Sequence, residues 1–160
     1  MIGSIQVAIQ SDISPSILKV PVFDAREVPR GYCARYARLA AEGIFGKVYP
    51  KDNAWDYRYS ARIIKELDGQ DANEELNRLA YEGELQPGMI IGVFYPPSSW
   101  NNKLDMKGQY IEFSHLMLFL GISKGEPVFA DHFISGTRIR KLSQFADDGL
   151  TAKIVFDSFN

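Results

Sequence analysis

An α+β fold is predicted for this chain of 160 residues by the order in which its hydrophobic period changes. The first half carries apolar residues at helical spacing. The second half carries short, strongly apolar runs separated by turn residues. Helices followed by a run of strands with short connections describe helices packed on an antiparallel sheet. Composition agrees, because 46% of the residues are hydrophobic and 12% aromatic, which is enough to bury a core. The length is that of one domain. We place it at 31–160, behind an N-terminal arm at 1–30.

The arm is punctuated by Ser and Pro, and its short apolar stretch from Ile17 to Phe23 suits one edge strand. Residues 31–46 are predicted to be helical, since Ala34, Ala37, Ala40, Ala41 and Ile44 recur near the 3.6 period. That stripe consists mostly of small side chains, so the helix can press closely on another layer. Cys33 lies in its first turn. A second helix is predicted at 53–67. A third is predicted at 72–81, with Asp71 as cap, Glu74 completing a capping box and Gly83 as the stop. After the Pro87-Gly88 turn, strands are predicted at 89–95, 111–122, 127–134, 137–142 and 152–156. Residues 96–109 are polar and are predicted to form a loop that contains Trp100.

Several classes are disfavoured. A formal net charge of -2 gives no basic surface for nucleic acid. One Cys excludes an internal disulfide and a multi-Cys zinc site, and the two His are not in an HExxH motif. We expect no cofactor and no metal. The N-terminus lacks the basic start and apolar core of a secretory signal, and no run approaches the roughly 20 apolar residues of a membrane span. The expectation is a chain without membrane insertion, cytoplasmic by default, with delivery elsewhere by another route still open. Oligomeric state is left open.

Cys33, His115 and His132 are the candidate chemistry. A free thiol has a pKa of about 8.5, and the partial positive charge and unpaired N–H groups of a helix N-terminus favour its thiolate. The same N–H groups suit the oxyanion formed when a carbonyl is attacked. A nucleophilic Cys also needs a base and a group to orient that base. Lys124-Gly125 reads as the centre of a hairpin. A two- or four-residue loop there sets His132 opposite Met117, and His115 becomes its diagonal neighbour, roughly 7–8 Å away. A three-residue loop slips the register by one and brings Asp131 onto the face of His115 instead. His132 is the expected orienting residue, with Asp131 as its rival.

With these residues in place, the chain resembles the NlpC-type and CHAP-type branch of papain-like cysteine peptidases and amidases. Gly31-Tyr32-Cys33 with Tyr36, and then Asn53-Ala54-Trp55, is similar to the opening of that branch. Leu85-Gln86-Pro87-Gly88-Met89-Ile90 resembles the entry to its first sheet strand. Ser114 to Gly121 resembles its His-bearing strand. Pro127-Val128-Phe129-Ala130-Asp131-His132, with Gly136-Thr137-Arg138-Ile139, resembles the continuation. The departures are Met89 where the family has Asp, a longer His-to-His gap, altered spacing before Trp55, and the insertion at 96–109.

The resemblance implies a papain-like fold, with Cys33 as nucleophile, His115 as base and His132 as orienting residue. It also implies a peptide or amide substrate, as in bacterial peptidoglycan. Tyr32, Trp55 and Trp100 are candidates to line the cleft, with packing the plainer role for each. The same three groups would serve a thiol acyltransferase, and a non-catalytic binding module of the same fold is a third reading.

Overall fold

The computed structural model describes residues 1–10, 15–50, 54–67, 69–96 and 113–158. In chain order the elements are β1 (Gly3–Ile9), β2 (Ser16–Val22), α1 (Cys33–Phe45), α2 (Ala54–Ser60), β3 (Arg62–Glu66) and α3 (Ala72–Glu82). There follow β4 (Ile90–Phe94), β5 (His115–Ser123), β6 (Glu126–Phe133), β7 (Gly136–Lys141), a 3-10 turn at Leu142–Gln144, α4 (Phe145–Asp148) and β8 (Thr151–Asp157). The architecture is mixed α/β. A six-stranded antiparallel sheet runs β3-β8-β4-β5-β6-β7, and β1 and β2 form a separate antiparallel pair.

Side-chain alternation along the central strands sorts the core into two layers. Leu116, Leu118, Leu120, Val128 and Ala130 pack with Ala34, Ala37, Ala40 and Ala41 of α1. Met117, Phe119, Phe129 and Val155 pack with Leu76 and Leu79 of α3. Because both faces are covered, β5 is buried along nearly its whole length and reads as a continuous apolar run. The small side chains of α1 let its backbone approach the sheet, and Tyr36 anchors the helix by donating from its hydroxyl to the Pro21 carbonyl at 3.0 Å. Gly46, in the left-handed region at φ 68°, closes α1.

Three expectations are corrected here. Residues 1–30 carry two strands. Ile5, Val7 and Ile9 alternate along β1, and Val7, Ile9 and Val20 are buried in the same core as α1. The pair is tied to the main sheet where the Gln10 N–H donates to the Ile122 carbonyl at 2.8 Å. Next, the helix expected at 53–67 ends at Ser60, and Arg62–Glu66 becomes edge strand β3. The edge of β8 overrides helical spacing there: Ile63 and Ile64 suit a strand, and Arg62 meets Asp157 of β8 at 2.5 Å. Finally, Asp71 occupies the N-cap of α3 without a side-chain capping bond. Its ψ of 12° is not the extended geometry that aims a carboxylate at the first-turn N–H groups. Gly83 ends α3 in the left-handed region, as expected. Among the described residues no helix is long and apolar enough to cross a membrane.

Candidate active site

The site forms at the end of the β5–β6 hairpin away from its turn. At the turn, Lys124 and Gly125 both have positive φ, and Ser123 faces Glu126 across a two-residue connection. The expected register holds as far as Gly121 opposite Val128. It then slips by one, so that Phe119 faces Phe129 and Leu118 faces Ala130. The slip is a bulge at Leu120-Gly121, where Gly121 takes φ 134°. A Cβ on Gly121 would lie 2.7 Å from Ile9 Cγ2 of β1, so the glycine serves both the backbone turn and the close approach of the N-terminal strand.

The bulge decides which residue of β6 reaches His115. Asp131, not His132, shares its face: His115 Nε2 and Asp131 Oδ2 are 2.7 Å apart. The expectation for His132 is therefore corrected in favour of its rival, by a mid-strand bulge and not by a longer turn. Asp131 is fully buried, and Arg138 of β7 donates to both of its oxygens, from Nε at 3.0 Å and from Nη2 at 2.6 Å.

Cys33 opens α1 and is partly exposed. Its thiol hydrogen-bonds the His115 imidazole. The β5–β6 ladder stops at Leu118 and Ala130, although both strands continue to His115 and Phe133. In that unpaired stretch the Leu116 N–H turns to the Cys33 sulfur.

Electrostatics follow from this order. Burial pushes the Cys33 thiol up, but the charge and hydrogen bond of His115 and the Leu116 N–H outweigh it. The thiol ends below its ordinary value even though Asp131 opposes it. Burial pushes His115 down, and the Cys33 and Asp131 charges with their hydrogen bonds reverse this, raising it to about 10. Burial likewise disfavours Asp131 as an anion, and the hydrogen bonds from His115 and Arg138 hold it below the usual carboxylate range. The arrangement favours a thiolate–imidazolium pair backed by a carboxylate.

His132 points to the opposite face of β6, where its ring stacks on Tyr36 at 5.6 Å between centroids. It is 3% exposed and neither ring nitrogen has a well-formed hydrogen bond, although the Val28 and Pro29 backbones lie near it. Burial therefore lowers its pKa. Tyr32, at the N-cap of α1, is half exposed with the Arg35 guanidinium over its ring at 5.2 Å. Trp100 lies outside the described residues, as does the side chain of Trp55. Among the described residues no group of three or more His, Cys, Asp or Glu is placed to hold a metal ion. Arg138 and Gly121 are the participants that sequence reasoning missed. A glycine inside an apolar strand is the one signal that pointed to the bulge.

No family model matches the chain. Comparison with curated proteins found no match, and neither did comparison with solved structures.

Proposed function

We propose that the chain is a thiol hydrolase that cleaves a peptide or amide bond, with α1 and the central sheet arranged in the papain-like manner. The observation that supports this reading is the continuous hydrogen-bonded series from the partly exposed Cys33 through His115 to the buried Asp131. A buried Cys of purely structural use has no need of an imidazole and a carboxylate in line behind it. The N-cap residue Tyr32 makes no side-chain capping bond, which leaves the first-turn N–H groups of α1 beside the sulfur to meet an anionic oxygen.

The proposed reaction runs in two stages. The Cys33 thiolate attacks the carbonyl carbon, and first-turn N–H groups hold the oxygen as it gains charge. His115 gives its proton to the leaving amine as the C–N bond breaks, forming a thioester and free amine. Water then attacks the thioester, His115 takes its proton, and the acid leaves as the thiol is regenerated. Asp131 keeps the imidazole oriented and its charged form stable throughout. Peptidoglycan stem peptides are the favoured substrate class, on the resemblance alone.

The test has two parts. Iodoacetamide should alkylate Cys33 at neutral pH faster than it does free cysteine, with the rate falling as acid protonates the thiolate. Purified peptidoglycan should yield new amine ends by mass analysis with the wild-type chain and none with Cys33→Ala. Hydrolysis should rise with pH as the thiolate forms and fall as His115 loses its proton near its raised pKa of about 10. A Cys33 no more reactive than free cysteine ends the proposal.

A further inference from the structure

We infer that Arg138 is a positioning residue of this site: its guanidinium grips both oxygens of Asp131 and so holds one of them against His115 Nε2. The inference rests on the reading of Cys33, His115 and Asp131 as one reacting unit.

The geometry is that of a fork. Arg138 lies directly opposite Asp131 in the β6–β7 ladder. Nε reaches Oδ1 at 3.0 Å and Nη2 reaches Oδ2 at 2.6 Å, and Oδ2 also faces His115 Nε2 at 2.7 Å. Two parallel bonds from a planar group stop the carboxylate rotating, which a single ammonium cannot do. Phe133 backs the arrangement from one side. Its ring centroid is 4.5 Å from the guanidinium carbon and its ring stands edge-on to His115 at 5.8 Å.

Charge gives the fork a second use. The site needs Asp131 to orient His115, yet the same negative charge opposes thiolate formation at Cys33. A guanidinium bonded to both carboxylate oxygens offsets part of that charge while Oδ2 keeps its contact with the imidazole. The titratable and charged groups that interact electrostatically with Asp131 are Cys33 and Tyr36 from α1, His115 from β5, Arg138 and Arg140 from β7, and His132, its neighbour on β6, from the opposite face. Arg140 is paired with Asp148, so of the two arginines Arg138 is the one bonded to the carboxylate.

Loss of Arg138 has one sign whichever way Asp131 responds. If Asp131 stays ionised, its unbalanced charge resists the thiolate. If it takes a proton, His115 loses its acceptor and no longer supports the thiolate. The Cys33 thiol rises in both cases.

The experiment is the pH dependence of iodoacetamide alkylation in the full chain, for wild type, Arg138→Gln and Arg138→Lys, with circular dichroism melts as the folding control. In Arg138→Gln the midpoint should move up by about one unit or more, so that at pH values below the wild-type midpoint alkylation should slow about tenfold. Arg138→Lys, which restores charge without the fork, should fall between the two. An Arg138→Gln profile superimposable on wild type overturns the inference. Should Arg138→Gln fail to fold, an Arg138→Lys midpoint equal to wild type overturns it. A purely structural arginine would shift melting without moving the midpoint. Ordinary thiol reactivity in the wild-type chain would instead sink the hydrolase reading, so the two failures are distinguishable.

Discussion

At the turn end of the β5–β6 hairpin, Ser123 faces Glu126 and Ile122 faces Pro127. Toward the site, Leu118 faces Ala130, a pairing one residue out of step with the first. The turn end obeys local chemistry: Lys124 and Gly125 take the positive φ values that a tight two-residue connection requires. The site end obeys a contact from far away in sequence, since the bulge at Gly121 sits against Ile9 of β1. A shift of one residue exchanges the faces of every later side chain. Here it sends Asp131 to His115 and His132 to Tyr36. The chemistry of this hairpin is thus set by a defect in its ladder, with the turn serving only as the starting point.

Replacing Asp131 with Ala is the most severe way to break that comparison. It removes the acceptor of His115 and leaves the Arg138 guanidinium without its partner beside a buried site. Breaking one member of a buried ion pair costs about 3–5 kcal/mol, a Tm drop on the order of 10 °C for a domain of this size. Turnover of an amide substrate should fall by about 10²–10⁴, the range that general acid–base catalysis supplies. Alkylation of Cys33 should slow as well, since the imidazolium that supports the thiolate is weakened. Wild-type reactivity in Asp131→Ala, measured with a thiol probe, would show that the carboxylate does not support the thiolate.

What was legible in the sequence was local. The small-residue stripe of α1, the place of Cys33 in its first turn, the Lys124-Gly125 hairpin and the succession β4 to β8 each follow from residues near one another in the chain. What was not legible depended on partners distant in sequence. Arg62–Glu66 reads as the tail of a helix until β8 is seen to need an edge partner. Leu120-Gly121-Ile122 reads as unbroken strand until β1 is placed against it. Arg138 has no role until register sets it opposite Asp131. Asp131 and His132 were both visible as candidates, and only the position of one bulge separated them.

Gly121→Ala sharpens the comparison by acting on the bulge alone. The new Cβ meets Ile9 Cγ2 at 2.7 Å, and a φ of 134° disfavours any L side chain. Backbone strain of this kind costs about 1–3 kcal/mol. The chain then either keeps the bulge at that cost or extends the turn-end register through the strand. Extension would set His132 where Asp131 now lies and turn the carboxylate toward α1. We expect lower Tm together with slower Cys33 alkylation, although no group of the site has been altered. A variant that melts earlier but retains full thiol reactivity would show that the site does not depend on the bulge.

His132→Phe should have the smallest effect and tests the other half of the comparison. Phenylalanine keeps a flat ring to stack on Tyr36 and removes two buried nitrogens that lack well-formed hydrogen bonds. Because an unsatisfied buried polar atom is itself a cost of about 1–3 kcal/mol, the variant should be neutral or slightly more stable at neutral pH. The sign with pH is fixed by burial, which lowers the folded pKa of His132 below the ordinary 6.5. Between those two values the unfolded chain binds the extra proton, so stability falls as pH drops through 6.5. His132→Phe should lose that part of the acid sensitivity in melts taken at successively lower pH, while the pH midpoint of Cys33 alkylation stays where it is. A shifted midpoint would mean that His132 acts on the thiol after all, from the face of β6 that packs on α1.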